Sequence, residues 1–146
     1  MIHRSIAICS LAILLASCAN LPKQPIRSVC VEIVGLPPHE IAFMIKRTAA
    51  YLSDYGIIQV SSGCDVSIRY QAFGDFQAEI IARIGKKGYW SQEGNVTISH
   101  LGKTIIEDEQ IILRGYDSRQ DILDVTAWLI VEPVTEAFRG EQPSEP

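Results

Sequence analysis

The stretch DVSIRYQAF (residues 65–73) decides the fold of this chain, because its polar and apolar side chains alternate from Asp65 to Ala72. Strict alternation indicates a half-buried β-strand, since successive side chains of a strand point to opposite faces of its sheet. The two predicted faces are Val66, Ile68, Tyr70 and Ala72 toward a core, and Ser67, Arg69 and Gln71 toward solvent. We therefore expect a sheet that is covered on one side only.

Upstream of this strand the pattern predicts a strand, a helix and a short edge strand. Residues 29–34 are rich in β-branched side chains and predict the first strand. Pro37 and Pro38 open a helix, where proline is tolerated in the first turn, and Gly56 ends it. The helix carries one apolar stripe at steps of three and four: Ile41, Ile45, Thr48, Leu52 and Tyr55. Residues 57–60 predict the short strand.

Downstream the chain predicts three more strands and a final helix. The strands cover residues 77–84, the stretch that follows Tyr89 and Trp90, and residues 103–113, with a hairpin turn at Leu101 and Gly102. Consecutive strands with such short connections should pair antiparallel. Asp117 or Ser118 would cap the helix, with Gln120 completing a capping box with Asp117, and Pro133 should kink or split it.

The order β-α-(β)-β-β-β-β-α predicts an α+β fold of two layers. We expect a mostly antiparallel sheet of four to six strands with both helices on one face. The chain of 146 residues is long enough for one domain, which we place at residues 29–139, followed by a disordered tail at 140–146.

The first seventeen residues have the features of an export signal. Arg4 supplies a positive start, and residues 6–15 form an apolar run much shorter than the ~20 residues needed to span a bilayer. The sequence therefore predicts a removable signal peptide at residues 1–17.

Leu15, Ala16, Ser17 and Cys18 resemble the lipobox of bacterial lipoproteins, in which two small residues precede a cysteine. The resemblance implies cleavage before Cys18, a diacylglycerol on its sulfur and further acylation, such as by palmitate. Residues 18–28 would then be the lipidated N-terminus and tether, with the membrane as a partner through the lipid. An ordinary signal peptide with a chance cysteine is the alternative.

The residue after the lipidated cysteine bears on localisation. In enterobacteria an Asp at this place tends to retain a lipoprotein in the inner membrane, and here it is Ala19. By that analogy we expect the outer membrane, on its periplasmic side, with inner-membrane anchoring as the alternative.

Cys30 and Cys64 are the two cysteines that remain after processing, and we predict that they pair. They lie at the starts of two strands joined by one crossover helix, and the starts of parallel neighbours lie at the same sheet edge. An oxidising periplasm also favours pairing. Two free buried thiols are the alternative. A redox or metal site is disfavoured, because the chain has no C-x-x-C motif and only two histidines outside the signal, His39 and His100.

Charge and motifs argue against nucleic-acid binding and against catalysis. The formal charge of −4 would become −5 when Arg4 leaves with the signal, which does not suit a protein that tracks phosphates. No nucleophile elbow or phosphate-binding glycine loop occurs, and we expect no cofactor, no metal and no catalytic residue. Alternation would place Glu107 and Glu109 on one strand face and Asp108 on the other, which favours a solvated face for the acidic cluster.

Two surfaces are candidates for binding. Tyr89 and Trp90 form an aromatic pair beside a turn that could dock a glycan, a partner protein or the membrane interface, although Trp90 could instead fold back over the sheet edge. The second surface is the polar sheet face, predicted to carry Ser67, Arg69, Gln71, Glu79, Arg83, Thr97 and Ser99.

The lipobox and the order of elements loosely resemble the accessory lipoproteins of Gram-negative envelopes, such as lipopolysaccharide-assembly lipoproteins. This resemblance implies a non-enzymatic accessory or binding module with an envelope protein as partner. A lipoprotein that binds a small ligand or an envelope polymer, such as peptidoglycan or lipopolysaccharide, is the alternative, and an enzyme with a dispersed active site is a third.

Overall fold

The structure is a computed structural model, and it describes residues 26–73, 79–81 and 87–139. The predicted signal peptide, Cys18, Arg83 and the C-terminal tail lie outside the described residues. Six strands and two helices follow in the predicted order: β1 Ser28–Val34, α1 Pro38–Ser53, β2 Ile58–Gln59, β3 Val66–Phe73, β4 Glu79–Ile81, β5 Lys87–His100, β6 Lys103–Tyr116 and α2 Arg119–Arg139. The α+β class and the element order are confirmed.

The six strands form one mixed sheet in which β1 lies between β2 and β3 and pairs with both in parallel. Strand β5 pairs antiparallel with β3, β4 and β6. The prediction that β3 and β4 would pair as consecutive strands is wrong for the described residues. Strand β5 is long enough to hold both on the same side, with β3 along residues 93–100 and β4 along residues 87–89.

The core fills the space between the helices and one face of the sheet. Helix α1 lies over β1 and β2, helix α2 lies over β5 and β6, and the two helices pack on each other. The inward face of β3 is the predicted one, since Val66, Ile68, Tyr70 and Ala72 are all buried, and Val96 and Ile98 of β5 are buried beside them. Ile26, which the sequence pattern assigned to the tether, is also buried in this core.

Gly94 of β5 allows the core to close over Tyr70. A Cβ atom at this position would lie 2.5 Å from the phenol ring carbon Cζ and 2.6 Å from the backbone oxygen of Gln71. Only a residue without a side chain fits here, and this explains an otherwise unfavourable glycine inside a strand.

Helix α1 buries only part of the predicted stripe. Thr48 and Leu52 are buried as predicted, whereas Ile41 and Ile45 are half-buried. Glu40 and Met44 are buried as well, and burial of the charged Glu40 is possible because it pairs with Arg119.

Helix α2 begins after Ser118, whose hydroxyl accepts a hydrogen bond from the backbone N–H of Asp121 at 3.3 Å. Ser118, one of the two residues predicted to cap this helix, is therefore an N-cap. The helix continues through Pro133 without splitting. Pro133 has no backbone N–H, so the helix lacks one hydrogen bond at this position. Ile130 and Val134 are buried in the core on either side of it and hold the helix in place.

Neither of the helices in the described part of the chain combines the length and the apolar character that crossing a membrane requires.

Candidate functional site

The sheet face away from the helices is open and polar. Ser67 and Arg69 are exposed, and Gln71, Thr97 and Ser99 are half-buried, so these five residues lie where the sequence pattern placed them. Glu79 is in β4, but its side chain lies outside the description. We call the surface formed by the outward residues of β1, β3, β5 and β6 the open face.

Side chains on the open face bond mainly to one another across the strands. Arg69 pairs with Glu32 at 3.5 Å, Ser99 and Thr104 share a hydrogen bond of 3.3 Å, and Gln110 donates to Glu93 at 3.0 Å. Exposed Phe73 and Ile112 flank Glu93 at one end of this face. The open face therefore offers a partner charges, amides and hydroxyls with an apolar patch at one end.

The structure contains the predicted disulfide between Cys30 and Cys64, with Cα atoms 5.6 Å apart. Cys30 lies in β1 opposite Ser67 of the parallel strand β3, and Cys64 precedes β3 by two residues. The arrangement follows the predicted geometry, in which the starts of two parallel strands lie together at one sheet edge.

The acidic cluster of β6 is exposed, but it does not alternate as predicted. Asp108 has a backbone φ of +47°, and the register shifts between Val96 and Ile98, so that Glu107 and Asp108 both face Thr97. This is a β-bulge, which interrupts the alternation. Thr97 accepts a hydrogen bond from the backbone N–H of Asp108 at 3.2 Å and donates one to its carboxylate at 3.3 Å.

No group of three or more histidine, cysteine or acidic side chains within the described ranges is placed to hold a metal ion. His39 is exposed near the start of α1, and His100 is half-buried at the end of β5. The two histidines therefore belong to different parts of the domain.

Tyr89 and Trp90 are both half-buried at the start of the β5–β6 pairing. Trp90 packs against the core, and the guanidinium carbon of Arg119 lies 5.6 Å from the centre of its ring. Such a cation–π contact is favourable and occupies one face of the indole. Trp90 thus has a structural role, and the two aromatics do not form a fully exposed patch.

Arg119 is the centre of a buried polar network that no local sequence pattern indicates. Its guanidinium donates two hydrogen bonds of 2.7 Å to the carboxylate of Glu40 and one of 3.0 Å to Gln92. Gln92 in turn donates to the hydroxyl of Tyr70 at 3.0 Å. Burial raises the pKa of Tyr70 to about 12, although the bond from Gln92 acts in the opposite direction. The network has its hydrogen bonds satisfied and links both helices to the sheet.

A second cluster lies on the surface between the helices. Arg47 donates to the carboxylate of Asp124, and Tyr51 donates to the same carboxylate at 2.8 Å. The bond to Asp124 raises the pKa of Arg47. The ring of Tyr51 meets that of Trp128 edge-on at 5.3 Å. Trp128 is therefore part of the helix–helix contact and lies at the edge of the core.

An apolar cleft of about 350 Å³ opens at one end of the domain, between the last turns of α2 and the end of β5 with the start of β6. Its lining residues are Ile26, Val66, Ile98, His100, Ile105, Ile106, Pro133, Val134, Glu136 and Ala137. We call it the entrance cleft, because Ile26 is the point at which the chain joins the domain. No local sequence pattern indicates this cleft, since its walls come from four distant segments.

Asp65 fixes the chain beside this cleft. Its carboxylate accepts hydrogen bonds from the backbone N–H groups of Arg27 at 2.9 Å and Ser28 at 3.3 Å. These bonds, the one from Arg27 foremost, lower the pKa of Asp65, and the nearby charge of His100 acts in the same direction. The position of Ile26 is therefore set by the start of β3.

No protein-family model matches the chain, and no curated protein is significantly similar to it in sequence. Solved structures do resemble it. A minor lipoprotein from Acinetobacter baumannii aligns with a TM-score of 0.54 at 11% identity, over 75% of this chain and 93% of that protein. The fold is shared with a bacterial lipoprotein.

Two further structures agree at similar levels. PelC from Paraburkholderia phytofirmans, solved as a dodecamer, aligns with a TM-score of 0.52 at 11% identity, over 81% of this chain and 89% of PelC. Protein XCC0632 from Xanthomonas campestris, of family DUF330, aligns with a TM-score of 0.50 at 8% identity, over 80% of this chain and 91% of that protein. At these identities the likeness concerns the fold alone, and no binding residue is carried over.

Proposed function

We propose that this chain is a lipoprotein of the bacterial cell envelope, anchored through Cys18, whose domain is a non-enzymatic accessory or binding module. One observation carries the proposal: a lipobox-like sequence precedes a domain with the same fold as a minor lipoprotein from another bacterium. Neither half alone would be sufficient, because a cysteine after a signal can be accidental and a fold does not define a function.

The proposed anchor would hold the domain close to a bilayer. Each buried methylene contributes ~0.8 kcal/mol, and stable anchoring needs two chains or a second signal, which a multiply acylated N-terminus supplies. Residues 18–25 can span at most ~30 Å when fully extended. The domain would therefore work at a membrane surface, and Ala19 favours the outer membrane.

The open face is the surface that we propose for an envelope protein partner. Its charges, amides and hydroxyls are accessible, and Phe73 and Ile112, exposed by 45% and 46%, provide apolar contacts at one end. Interfaces combine such apolar contacts with a polar surround. Tethering would raise the effective concentration of this face near other membrane proteins.

Labelling with radioactive palmitate in the native host tests the anchor. We expect label in the wild-type chain, no label in Cys18→Ala, and unchanged label in Cys9→Ala, since Cys9 would leave with the signal peptide. Label retained by Cys18→Ala, or a wild-type chain that carries none, would contradict the proposal. Separation of inner and outer membranes on a density gradient then tests the location.

Photocrosslinking tests the open face. A photoreactive phenylalanine at position 69, on the open face, should capture an envelope protein in intact cells. The same residue at position 50, which is exposed on α1, is the matched control. Equal capture from both positions would argue against the open face as the partner surface.

A further inference from the structure

We propose that the entrance cleft binds a fatty acyl chain of a bilayer phospholipid. This inference goes beyond the accessory role and rests on the proposed anchoring at Cys18. It depends on three features of the cleft: its apolar lining, its size, and its place beside the proposed tether.

The lining of the cleft is that of a hydrocarbon site. Eight of its ten residues are apolar, and Ile26, Val66, Ile98 and Val134 form a floor that is at most 4% exposed. The two polar residues are His100, which is half-buried, and Glu136, which is exposed. Since a buried polar group needs a hydrogen-bond partner, this floor disfavours a peptide or a sugar and suits an unbranched alkyl chain.

The cleft is large enough to hold a segment of one acyl chain. Ligand sites commonly measure about 300–1,000 Å³, and the cleft, at about 350 Å³, lies at the lower end of that range. An acyl chain that enters from the bilayer is already out of water, so the gain comes from the cleft itself. Its apolar lining is removed from contact with water, which is favourable by roughly 25 cal/mol per Å² covered.

The cleft lies beside the proposed tether. Ile26 lines the cleft and is joined through residues 18–25 to the cysteine that we propose is lipidated. Because that segment reaches at most ~30 Å, Ile26 and the cleft beside it lie within about that distance of the proposed anchor.

A phospholipid is a better occupant than the chains on Cys18 itself. An anchor chain that entered the cleft would leave the bilayer and weaken the attachment by the methylenes it withdraws. Phospholipids form the membrane itself, and their acyl chains greatly outnumber the chains on Cys18. Glu136 and His100, beside the apolar lining, can contact a headgroup that carries both charges while its acyl chain enters.

The test uses the full lipidated chain in vesicles of phosphatidylethanolamine and phosphatidylglycerol that contain a trace of phosphatidylcholine with a diazirine in one acyl tail. After illumination, peptides are mapped by mass spectrometry. We expect label on the segments around residues 98–106 and 133–137. Ala137→Phe, which fills the cleft, should reduce that label at least fivefold, and Ala50→Phe, the same change at an exposed position of α1, should leave it unchanged.

The following results would overturn the acyl-chain proposal or its choice of occupant. Unchanged label in Ala137→Phe, or label spread evenly over the surface, would overturn the proposal. The unfolding midpoint of Ala137→Phe is measured alongside, and Ile105→Trp, on the opposite wall, should give the same loss if the cleft is the site. A second arm places the diazirine in the palmitate on Cys18, and crosslinks from it to the cleft that exceed those from phospholipid would overturn the choice of occupant. Absence of cleft label in chains that still carry lipid and remain on the vesicles refutes the cleft alone, whereas chains without lipid refute the anchor.

Discussion

At the scale of single residues, Asp65 shows how one carboxylate sets the start of a domain. It accepts two backbone N–H groups from the segment that enters β1, and these bonds hold its pKa below the ordinary value. A carboxylate with a lowered pKa in the folded state stabilises that state above the pKa of the unfolded chain, ~3.9, and this contribution is lost as the pH falls through the folded-state pKa.

We therefore expect Asp65→Asn to lower the unfolding temperature at neutral pH, because the amide keeps an acceptor but lacks the charge. The difference from wild type should shrink as the pH falls below about 4, where the unfolded chain takes up a proton at Asp65, and should be lost as the pH passes through the lower folded-state pKa. Thermal unfolding followed by circular dichroism between pH 2 and 7 measures it. A difference that stays constant over that range would show that the charge of Asp65 is not involved.

At the scale of elements, the pair between Glu40 and Arg119 joins the first turns of both helices. The two side chains are only 10% and 13% exposed, and Arg119 also reaches Gln92 of β5. Removing one partner of a buried pair leaves an uncompensated charge, which typically costs about 3–5 kcal/mol. Arg119→Met should lower the free energy of unfolding by that order, as measured by urea denaturation.

The pair between Arg47 and Asp124 supplies the matched comparison. It also joins the helices, but its side chains are 37% and 34% exposed, so solvent screens the interaction. Arg47→Met should therefore destabilise the domain much less than Arg119→Met. The double variant Glu40→Leu with Arg119→Met should recover part of the loss, since no isolated charge remains. Equal losses from both arginine variants would show that burial does not set the strength of these pairs.

The elements themselves were largely predictable, because each has a local pattern. The alternation of residues 65–73 identified β3 and its buried face, and the prolines and Gly56 bounded α1 within a few residues. The arrangement that depends on distant partners was not predictable. Glu40 is buried because Arg119 meets it from 79 positions along the chain, and no periodicity contains that information.

Some features of the candidate sites were likewise predictable from a local pattern, and others depend on residues far apart in the sequence. The open face followed from alternation, and the pairing of Cys30 with Cys64 followed from the order of elements. The bulge at Asp108 did not, because a short polar residue with positive φ leaves only a weak trace in the sequence. The entrance cleft is formed by residues from both termini of the domain and from its strands, so only the assembled structure reveals it.

At the scale of the whole molecule, the disulfide between Cys30 and Cys64 stabilises the fold by restricting the conformations of the unfolded chain. It closes a loop across 34 positions that contains all of α1 and β2. On the chain-entropy model, such a loop stabilises the folded state by about 3–4 kcal/mol. Cys30→Ser with Cys64→Ser should lower the free energy of unfolding by that amount. Dithiothreitol should destabilise the wild type to the same extent and leave the double variant unaffected, and a wild type insensitive to reductant would contradict this role.

The bulge in β6 has a consequence for crowding. In the described part of the chain β6 pairs only with β5, so its other side leaves a row of backbone groups that a neighbouring molecule could match. Molecules held on a membrane surface by lipid would collide more often than the same number in solution. Long, flat, unpaired edge strands would then tend to pair with one another and aggregate. The bulge at Asp108 interrupts the edge of β6 near its middle. The three negative charges of Glu107, Asp108 and Glu109 would repel the same edge of a second molecule. If lipid at Cys18 holds this domain on a bilayer, as we propose, the bulge and its charges would help closely packed copies to remain separate molecules.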